Sequence, residues 1–566
     1  MYSMILYLIG KLEKKDRRKM FLYSVFSFIS SIIDLASIYV MMQIINVAIR
    51  QEVTTKSLLM TAGMGCLLLV KGGFDIFLNR LSSAFVNDSL CGLSLKLYDL
   101  HNKESMLAHK EKTDAQVLEG IRRDAEVCVG MILNAIQGVI KCLLCASYAL
   151  ILIWILGWIG IVSCLIVCIF MLFQYKKNQK NIQLFGEQKR SLSIKLNSLV
   201  TVAYGAYKEM KIDSRNGNMR KRFEETSKEF AELQRRYSLY SAMPHIVMAN
   251  MMKAAIFFIL TVLLGMGVDL TAYIAVTLLF FTVLLRLIGT MTGIVDVLNR
   301  IRYGEKSYNM FRKNMEQYET IIAQEAERNQ LRKKTLTLQQ GIRAKNLTFH
   351  YPNGTCIFEQ ADIEIPAGHT VAIIGTSGIG KTTLLDLLIG LLKPESGTIY
   401  YDDYDIVSEC DGMGKCRADV GEVVSYIPQI VYLDGSTVRE NILFLTPREE
   451  EDEERIIACL QCAQIWEDVQ KMPEGMDTVL GLNGIKLSNG QRQRIALARA
   501  LYKEFELMIM DEATAALDPE TEKALIDSIR HVKKGKTLLM VTHHMSLADE
   551  CEYVYRIENK KIVRVR

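Results

Sequence analysis

From Cys142 to Tyr175 the chain carries no Asp, Glu, Lys or Arg. At about 1.5 Å per helical residue, that run is too long to cross a bilayer core of about 30 Å only once. It needs a break, and Gly157-Trp158 supplies a tight turn between two spans, Val127 to Leu156 and Trp158 to Tyr175. Four further apolar runs, Phe21 to Ile49, Ser57 to about Leu78, about Met248 to Gly267 and Leu270 to about Val297, bring the expected number of spans to six. Inside lipid each backbone N–H and C=O must be satisfied within its own segment, so these runs are expected to be helices.

The rest of the chain is not built for lipid. Half of the 566 residues are hydrophobic, yet 23% are charged, which implies a membrane part joined to a water-soluble part. A net charge of +5 is spread along the chain and gives no basic face for a nucleic-acid partner. The 13 cysteines are scattered. The pairs Cys142/Cys145 and Cys459/Cys462 lack the second pair or the histidines of a zinc site and read as packing residues.

Charge also sets orientation. Lys11, Lys14, Lys15, Arg17, Arg18 and Lys19 precede the first span, whereas the turns near 157 and 268 carry no Lys or Arg. Both termini are therefore expected in the cytoplasm of a multi-pass protein of a cell membrane, with a bacterial inner or plasma membrane as the setting. Residues 1–20 read as an amphipathic helix lying on the inner membrane surface, 21–302 as the membrane domain, 303–340 as a charged helical linker and 341–566 as a soluble α/β domain. The long charged connections after the second and fourth spans cannot lie in lipid. They are expected to carry the helices into the cytoplasm, with short connecting helices near Ser105 to Ala115 and Tyr204 to Asp213.

The soluble part carries the chemistry. Apolar β-rich runs (HTVAIIG, VVSYIPQ, LMIMDE, TLLMVTH) alternate with helical stretches. GTSGIGKT, Gly375 to Thr382, follows the strand TVAII and opens the helix TTLLDLLIGLL, the setting of a phosphate-binding loop. Backbone N–H groups of Gly375, Thr376, Ser377, Gly378 and Gly380 are expected to close around phosphates, with Thr383 at the helix start. Lys381 is placed to reach the terminal phosphates and Thr382 to hold Mg2+. Further on, LMIMDEA delivers two adjacent carboxylates from the end of an apolar strand. Asp511 suits a magnesium contact, and Glu512 suits a general base on an attacking water.

Between these lies LSNGQRQRIALARAL, and after them come Ala516 to Asp518 and the histidine of VTHHMS. With the loop and the paired carboxylates, these motifs closely resemble the ATP-binding cassette (ABC) transporters. Six preceding spans resemble the exporter branch, with membrane and nucleotide domains fused as a half-transporter. The resemblance implies an all-α six-helix membrane domain followed by an α/β P-loop domain with a helical subdomain, using ATP and Mg2+. It implies that Tyr351 stacks on adenine and that Gln429 senses phosphate and magnesium. It also implies that Ser488 and Gly490 meet the γ-phosphate held by an opposite subunit, that Gln491 belongs to the ATP-binding residues, and that His543 is the switch histidine. Two positions depart from the pattern. Asn489 stands where a glycine is commoner, and Leu482 stands where exporters often carry a glutamate that helps couple the domains. Every catalytic position is intact, which favours pairing with a second copy of the same chain.

The implied activity is an ATP hydrolase coupled to export or flipping of an amphiphilic substrate: a lipid-linked glycan, another lipid, a peptide or a drug. The alternatives are a membrane-anchored ATPase that gates a partner, and an importer of exporter fold. The stretch before the first span is too short for the cysteine peptidase domain of bacteriocin exporters. A fainter resemblance to bacterial flippases of lipid-linked oligosaccharides rests on Asp34, Lys71 and Arg286, three charges inside expected spans. Counted from the span ends, Asp34 should lie about 10 Å nearer the outer side than the two cations. Lys71 and Arg286 are then expected to line an inward cavity that attracts an anionic head group, with Asp34 favouring its release.

Overall fold

The computed structural model describes the chain except for residues 51–54, 213–215, 266–273, 330–335, 410–419, 445, 448–450, 482–483, 485, 515–522, 525 and 530–534. The chain forms two compact units, residues 1–102 with 112–321, and residues 103–111 with 322–566.

The first unit is helical. It comprises α1 (Tyr2–Lys11), α2 (Lys14–Arg50), α3 (Thr55–Lys103, which ends in the second unit), and, after the short α4 (Met106–Lys110) of that unit, α5 (Asp114–Leu118). A π-helical turn over Glu119–Asp124 leads into α6 (Ala125–Leu156), α7 (Trp158–Gly205), α8 (Tyr207–Ile212), α9 (Asn216–Gly265), α10 (Ile274–Tyr303) and α11 (Glu305–Asn329, which ends in the second unit). Among the described residues, five helices are long and apolar enough to cross a membrane. The remaining expected span, Met248 to Gly267, falls on the apolar end of α9, described as helix up to Gly265. Large apolar side chains such as Leu69, Ile76, Trp154, Trp158 and Ile169 point outward, the inverse of a water-soluble bundle and the arrangement a lipid solvent stabilises.

Gly157 makes the expected break. It ends α6 at φ 56° and ψ −125°, a conformation open to residues without a Cβ, and α7 starts at the next residue. The N-terminal segment is helical over α1, and part of its apolar face meets the protein. α1 buries Leu8 against a cluster containing Phe85, Ile132 and Phe311, while Tyr2 and Leu6 stay exposed. Much of its apolar face is therefore used by the protein core. The segment expected as a linker is helical over α11, and its Tyr308, Phe311 and Met315 are buried in the same cluster. The π-helical turn is tied to α7 by Arg190, whose Nη2 and Nε donate to the fully buried carboxylate of Asp124 at 2.9 and 3.2 Å. Such a buried, doubly hydrogen-bonded pair fixes register.

The second unit contains two sheets among the described residues. β1 (Gly341–His350), β2 (Cys356–Pro366), β4 (Ser396–Tyr401) and β5 (Tyr404–Asp405) form an antiparallel sheet in the order β2-β1-β4-β5. The other sheet runs β10-β9-β3-β8-β7-β6 and comprises β3 (Thr370–Ile374), β6 (Val424–Ile427), β7 (Leu507–Asp511), β8 (Thr537–Val541), β9 (Tyr553–Glu558) and β10 (Lys561–Arg564). Its strands β6, β7, β8, β3 and β9 are parallel. All residues of β3, β7 and β8 are buried, as expected for a parallel sheet covered on both faces. The helix α12 (Lys381–Leu388) follows β3. The helical part contains α13 (Val438–Leu443), α14 (Glu453–Cys462) and α15 (Asn489–Tyr502). Burial pushes the Cys459 and Cys462 thiols of α14 up to about 11, so both stay protonated and apolar at neutral pH.

Gly186 on α7 lies where a Cβ would meet the backbone oxygen of Tyr303 at 2.0 Å. Gly186→Ala should therefore push α7 away from α10 and lower the thermal midpoint of the purified chain, with a cost of about 1–3 kcal/mol. An unchanged midpoint would show that the two backbones do not touch there.

Candidate functional site: a nucleotide site at the strand ends

The parallel strands set the site. In the register Ile373↔Val541 and Asp511↔Val541, the C-terminal ends of β3, β8 and β7 lie level and side by side. Gly375, His543 and Glu512 leave the sheet just beyond those ends, so three segments distant in sequence meet at one edge. Open parallel sheets bind ligands at this edge.

Lys381 is the centre of the cluster. It is only 6% exposed, and its ammonium is wrapped by acceptors. Nζ donates to the carbonyls of Gly375 at 3.0 Å and Thr376 at 3.3 Å and lies 3.4 Å from the Glu512 carboxylate. His543 Nε2 stands 2.8 Å from Lys381 Nζ and 2.6 Å from Glu512 Oε1. One ring nitrogen cannot accept from the ammonium and donate to the carboxylate at once, so the histidine has two mutually exclusive partners. Gln429 Nε2 donates to Glu512 Oε2 at 2.6 Å. Glu512 itself has φ 50°, a left-handed conformation that costs a residue with a side chain of this size, and it is held there by these contacts.

Asp511 stands beside this group. The Thr382 hydroxyl donates to its Oδ2 at 3.0 Å and the Tyr426 hydroxyl at 3.2 Å. Burial pushes the Asp511 carboxyl up, and the two hydroxyl donors pull it back. The hydroxyl of Thr382, the carboxylate of Asp511 and the amide oxygen of Gln429 are all hard oxygen donors. With only one or two carboxylates, the set fits Mg2+ completed by substrate phosphates. Tyr351 shares a hydrogen bond with Thr383 at 3.0 Å, and its ring packs edge-on against Phe349, so it stands next to the phosphate loop. Ser377 and Gly378 lie in that loop, between β3 and α12.

Comparison with known proteins gives the same picture. Residues 358–515 match the family model described as ABC transporter. The chain is 24% identical to the ATP-dependent lipid A-core flippase of Burkholderia pseudomallei over 91% of its own length and 84% of that protein. A flippase of the same name from Ralstonia nicotianae is 35% identical, over 39% of the chain and 37% of that protein. Among solved structures, a bacterial Atm1-family ABC exporter with ATP bound superposes with a TM-score of 0.76, covering 97% of this chain and 94% of that one at 18% identity. The chain has the architecture of an ABC exporter half-transporter.

Among the described residues, the signature residues make no hydrogen bond to the phosphate loop. Ser488 caps α15, its hydroxyl accepting from Gln491 N–H while the Gln491 side chain accepts from Ser488 N–H. Ser488 is exposed and Gly490 is half-buried. Asn489 has no positive φ, so this position does not demand glycine. Its side-chain oxygen accepts from Arg492 one turn on. Ala516 to Asp518 and Leu482 lie outside the described residues.

The membrane charges require a correction. Lys71 Nζ donates to Asp34 Oδ1 at 2.6 Å and lies 3.5 Å from Asp75, which also accepts from Ser30 at 2.9 Å. Asp34 is therefore level with Lys71, not about 10 Å away. The hairpin explains why. Asp34 precedes the end of α2 at Arg50 by as many residues as Lys71 follows the start of α3 at Thr55. Counting from the edges of the apolar runs hid this equality, because both helices extend past those edges. Arg286 does not join the network and has no ion-pair partner among the described residues. Lys141, which the sequence reading missed, is likewise without one. It reaches across Gly293 to the carbonyl oxygen at 3.4 Å. The signal was present in the sequence as the lysine that bounds the uncharged run.

Glu512→Gln should preserve nucleotide binding and slow turnover by about 100- to 10,000-fold, measured by phosphate release. Lys381→Ala should weaken nucleotide binding itself, because the terminal phosphates lose a cation. Asn489→Gly keeps the backbone N–H and should leave the turnover rate within about twofold, since the lost side-chain contact is an exposed one. A larger change would give the Asn489 side chain a role in hydrolysis.

Proposed function

We propose that this chain works as a homodimeric, ATP-driven exporter or flippase that moves an anionic amphiphile out of the cytoplasmic leaflet of a cell membrane. The observation that carries the reading is the convergence of Lys381, Gln429, Glu512 and His543 in one cluster, in a chain whose other half turns apolar side chains outward. In this reading Lys381 binds the terminal phosphates, and Glu512 accepts the proton of the attacking water. His543 changes partner between Glu512 and the nucleotide. Thr382, Asp511 and Gln429 would hold Mg2+, which supplies charge neutralisation at the phosphates.

Pairing with a second copy is supported by what one chain leaves exposed. Ser488 faces solvent, and Tyr204, Tyr207 and Ile212 are exposed at and next to α8. The lipid class is supported by the relatives named lipid A-core flippases. Charge supports the anionic head group. Lys71 is neutralised by Asp34, so the attracting cations in this reading are Arg286 and Lys141. Beside Lys141, a cavity of about 540 Å³ opens between α9 and α10, lined by Tyr237, Ser241, Thr292, Gly293, Asp296 and Arg300. The basic cluster before the first span supports a cytoplasmic location for both termini.

In proteoliposomes, ATP turnover should rise when a phosphate-bearing anionic lipid is included. Arg286→Gln and Lys141→Gln should each weaken that stimulation by about tenfold with basal turnover kept, the equivalent of one lost charge-assisted contact. Lys71→Gln should instead lower the thermal midpoint, because it leaves Asp34 and Asp75 facing each other without a cation. Equal stimulation by neutral and anionic lipids would refute the head-group assignment.

A further inference from the structure

Tyr426 lies on β6, three residues before Gln429. Its ring packs against the core built on β3, β7 and β8. In the parallel register it stands level with Ile509 of β7, so Asp511 lies two residues, about 7 Å, further along that strand. The phenol side chain spans that distance. Its hydroxyl arrives at the strand end and donates to Asp511 Oδ2 at 3.2 Å.

The Thr382 hydroxyl donates to the same oxygen at 3.0 Å. An ionised carboxylate has two lone-pair sites on each oxygen, so these two donors fill Oδ2. Asp511 is 2% exposed, and neither donor uses its Oδ1. Thr382 gives Asp511 its proton and keeps its own lone pairs for a cation. The carboxylate is thereby left with one oxygen, Oδ1, to offer as a ligand.

Divalent cations differ in how they use a carboxylate. Mg2+ demands a near-ideal octahedron of about six ligands and keeps several waters, whereas Ca2+ takes about six to eight oxygens and accepts one or both oxygens of a carboxylate. A carboxylate held to one oxygen suits the smaller ion. It denies the larger ion a ligand that it could otherwise use.

We propose that Tyr426 is a specificity-determining residue for the divalent cation: by closing Oδ2 of Asp511 it holds this carboxylate to one-oxygen ligation and favours Mg2+ over Ca2+. Tyr426 is a positioning residue, acting through Asp511 and touching neither ion nor nucleotide. Hydrogen-bond partners of a ligating carboxylate orient it and tune the affinity of the site. Removing the tyrosine hydroxyl opens a lone-pair site on Oδ2, and Ca2+ then gains access to both oxygens. The proposal rests on the reading in which Thr382, Asp511 and Gln429 hold the ion.

Mn2+ serves as a paramagnetic probe that reads ion binding without turnover. The full chain is loaded with Mn2+ and a non-hydrolysable ATP analogue, and bound Mn2+ is followed by electron paramagnetic resonance while Mg2+ or Ca2+ displaces it. The ratio of the two displacing concentrations measures selectivity. Tyr426→Phe keeps the ring in the core and should shift that ratio toward Ca2+ by about tenfold. Tyr426→Leu also lacks the donor and should shift it the same way, so it carries the test where Tyr426→Phe fails to fold. An unchanged ratio, or equal weakening of both ions, makes Tyr426 a structural residue only and overturns the proposal. Failure of the parental chain to bind Mn2+ with the nucleotide would instead overturn the ion site itself, and the proposal with it.

Discussion

A buried ammonium must find acceptors, and Lys381 finds them in elements far apart in the sequence. The loop carbonyls come from the end of β3, Glu512 from the end of β7 and His543 from beyond the end of β8. The parallel sheet, in the order β3-β8-β7, brings those ends together. Glu512 is also held at a positive φ, so its carboxylate is aimed by the fold rather than by the preference of its own backbone. The same crowding makes His543 choose between Lys381 and Glu512, so a change in the charge of the site changes which partner it takes.

The membrane half is governed by the complementary rule. Where water is absent, a backbone must be helical and a charge must be paired. Asp34 and Lys71 satisfy that rule across the α2–α3 hairpin, with Asp75 and Ser30 extending the network. Arg286 and Lys141 do not satisfy it among the described residues. In the proposed function, that contrast separates charges that hold helices together from charges that attract a head group.

Contiguous motifs were legible in the sequence, whereas relations between distant segments were not. The loop Gly375 to Thr382, the strand–carboxylate pair Asp511 and Glu512, and the runs that become β3, β6, β7 and β8 each follow from local pattern. The break at Gly157 followed from length alone. The pairing of Asp34 with Lys71 depended on where two helices meet their turn, which hydropathy edges locate poorly. Asp386 was visible only as one acid in the apolar helix TTLLDLLIGLL, and its contact with Lys110, distant in sequence, follows from no local pattern. The burial of α1 was hidden because an amphipathic helix looks the same whether protein or membrane covers its apolar face.

The central claim is that each nucleotide site is completed by a second copy of this chain, with Lys381 and Glu512 from one and Ser488 from the other. Mixing two inactive variants, Lys381→Ala and Ser488→Arg, in one preparation tests it directly. Each variant alone should be inactive, since both sites of its homodimer are damaged. Random pairing restores one intact site in the mixed dimers, so ATP turnover should recover to about a quarter of the parental rate. A mixture as inactive as either variant, under conditions where subunits exchange, would contradict the account.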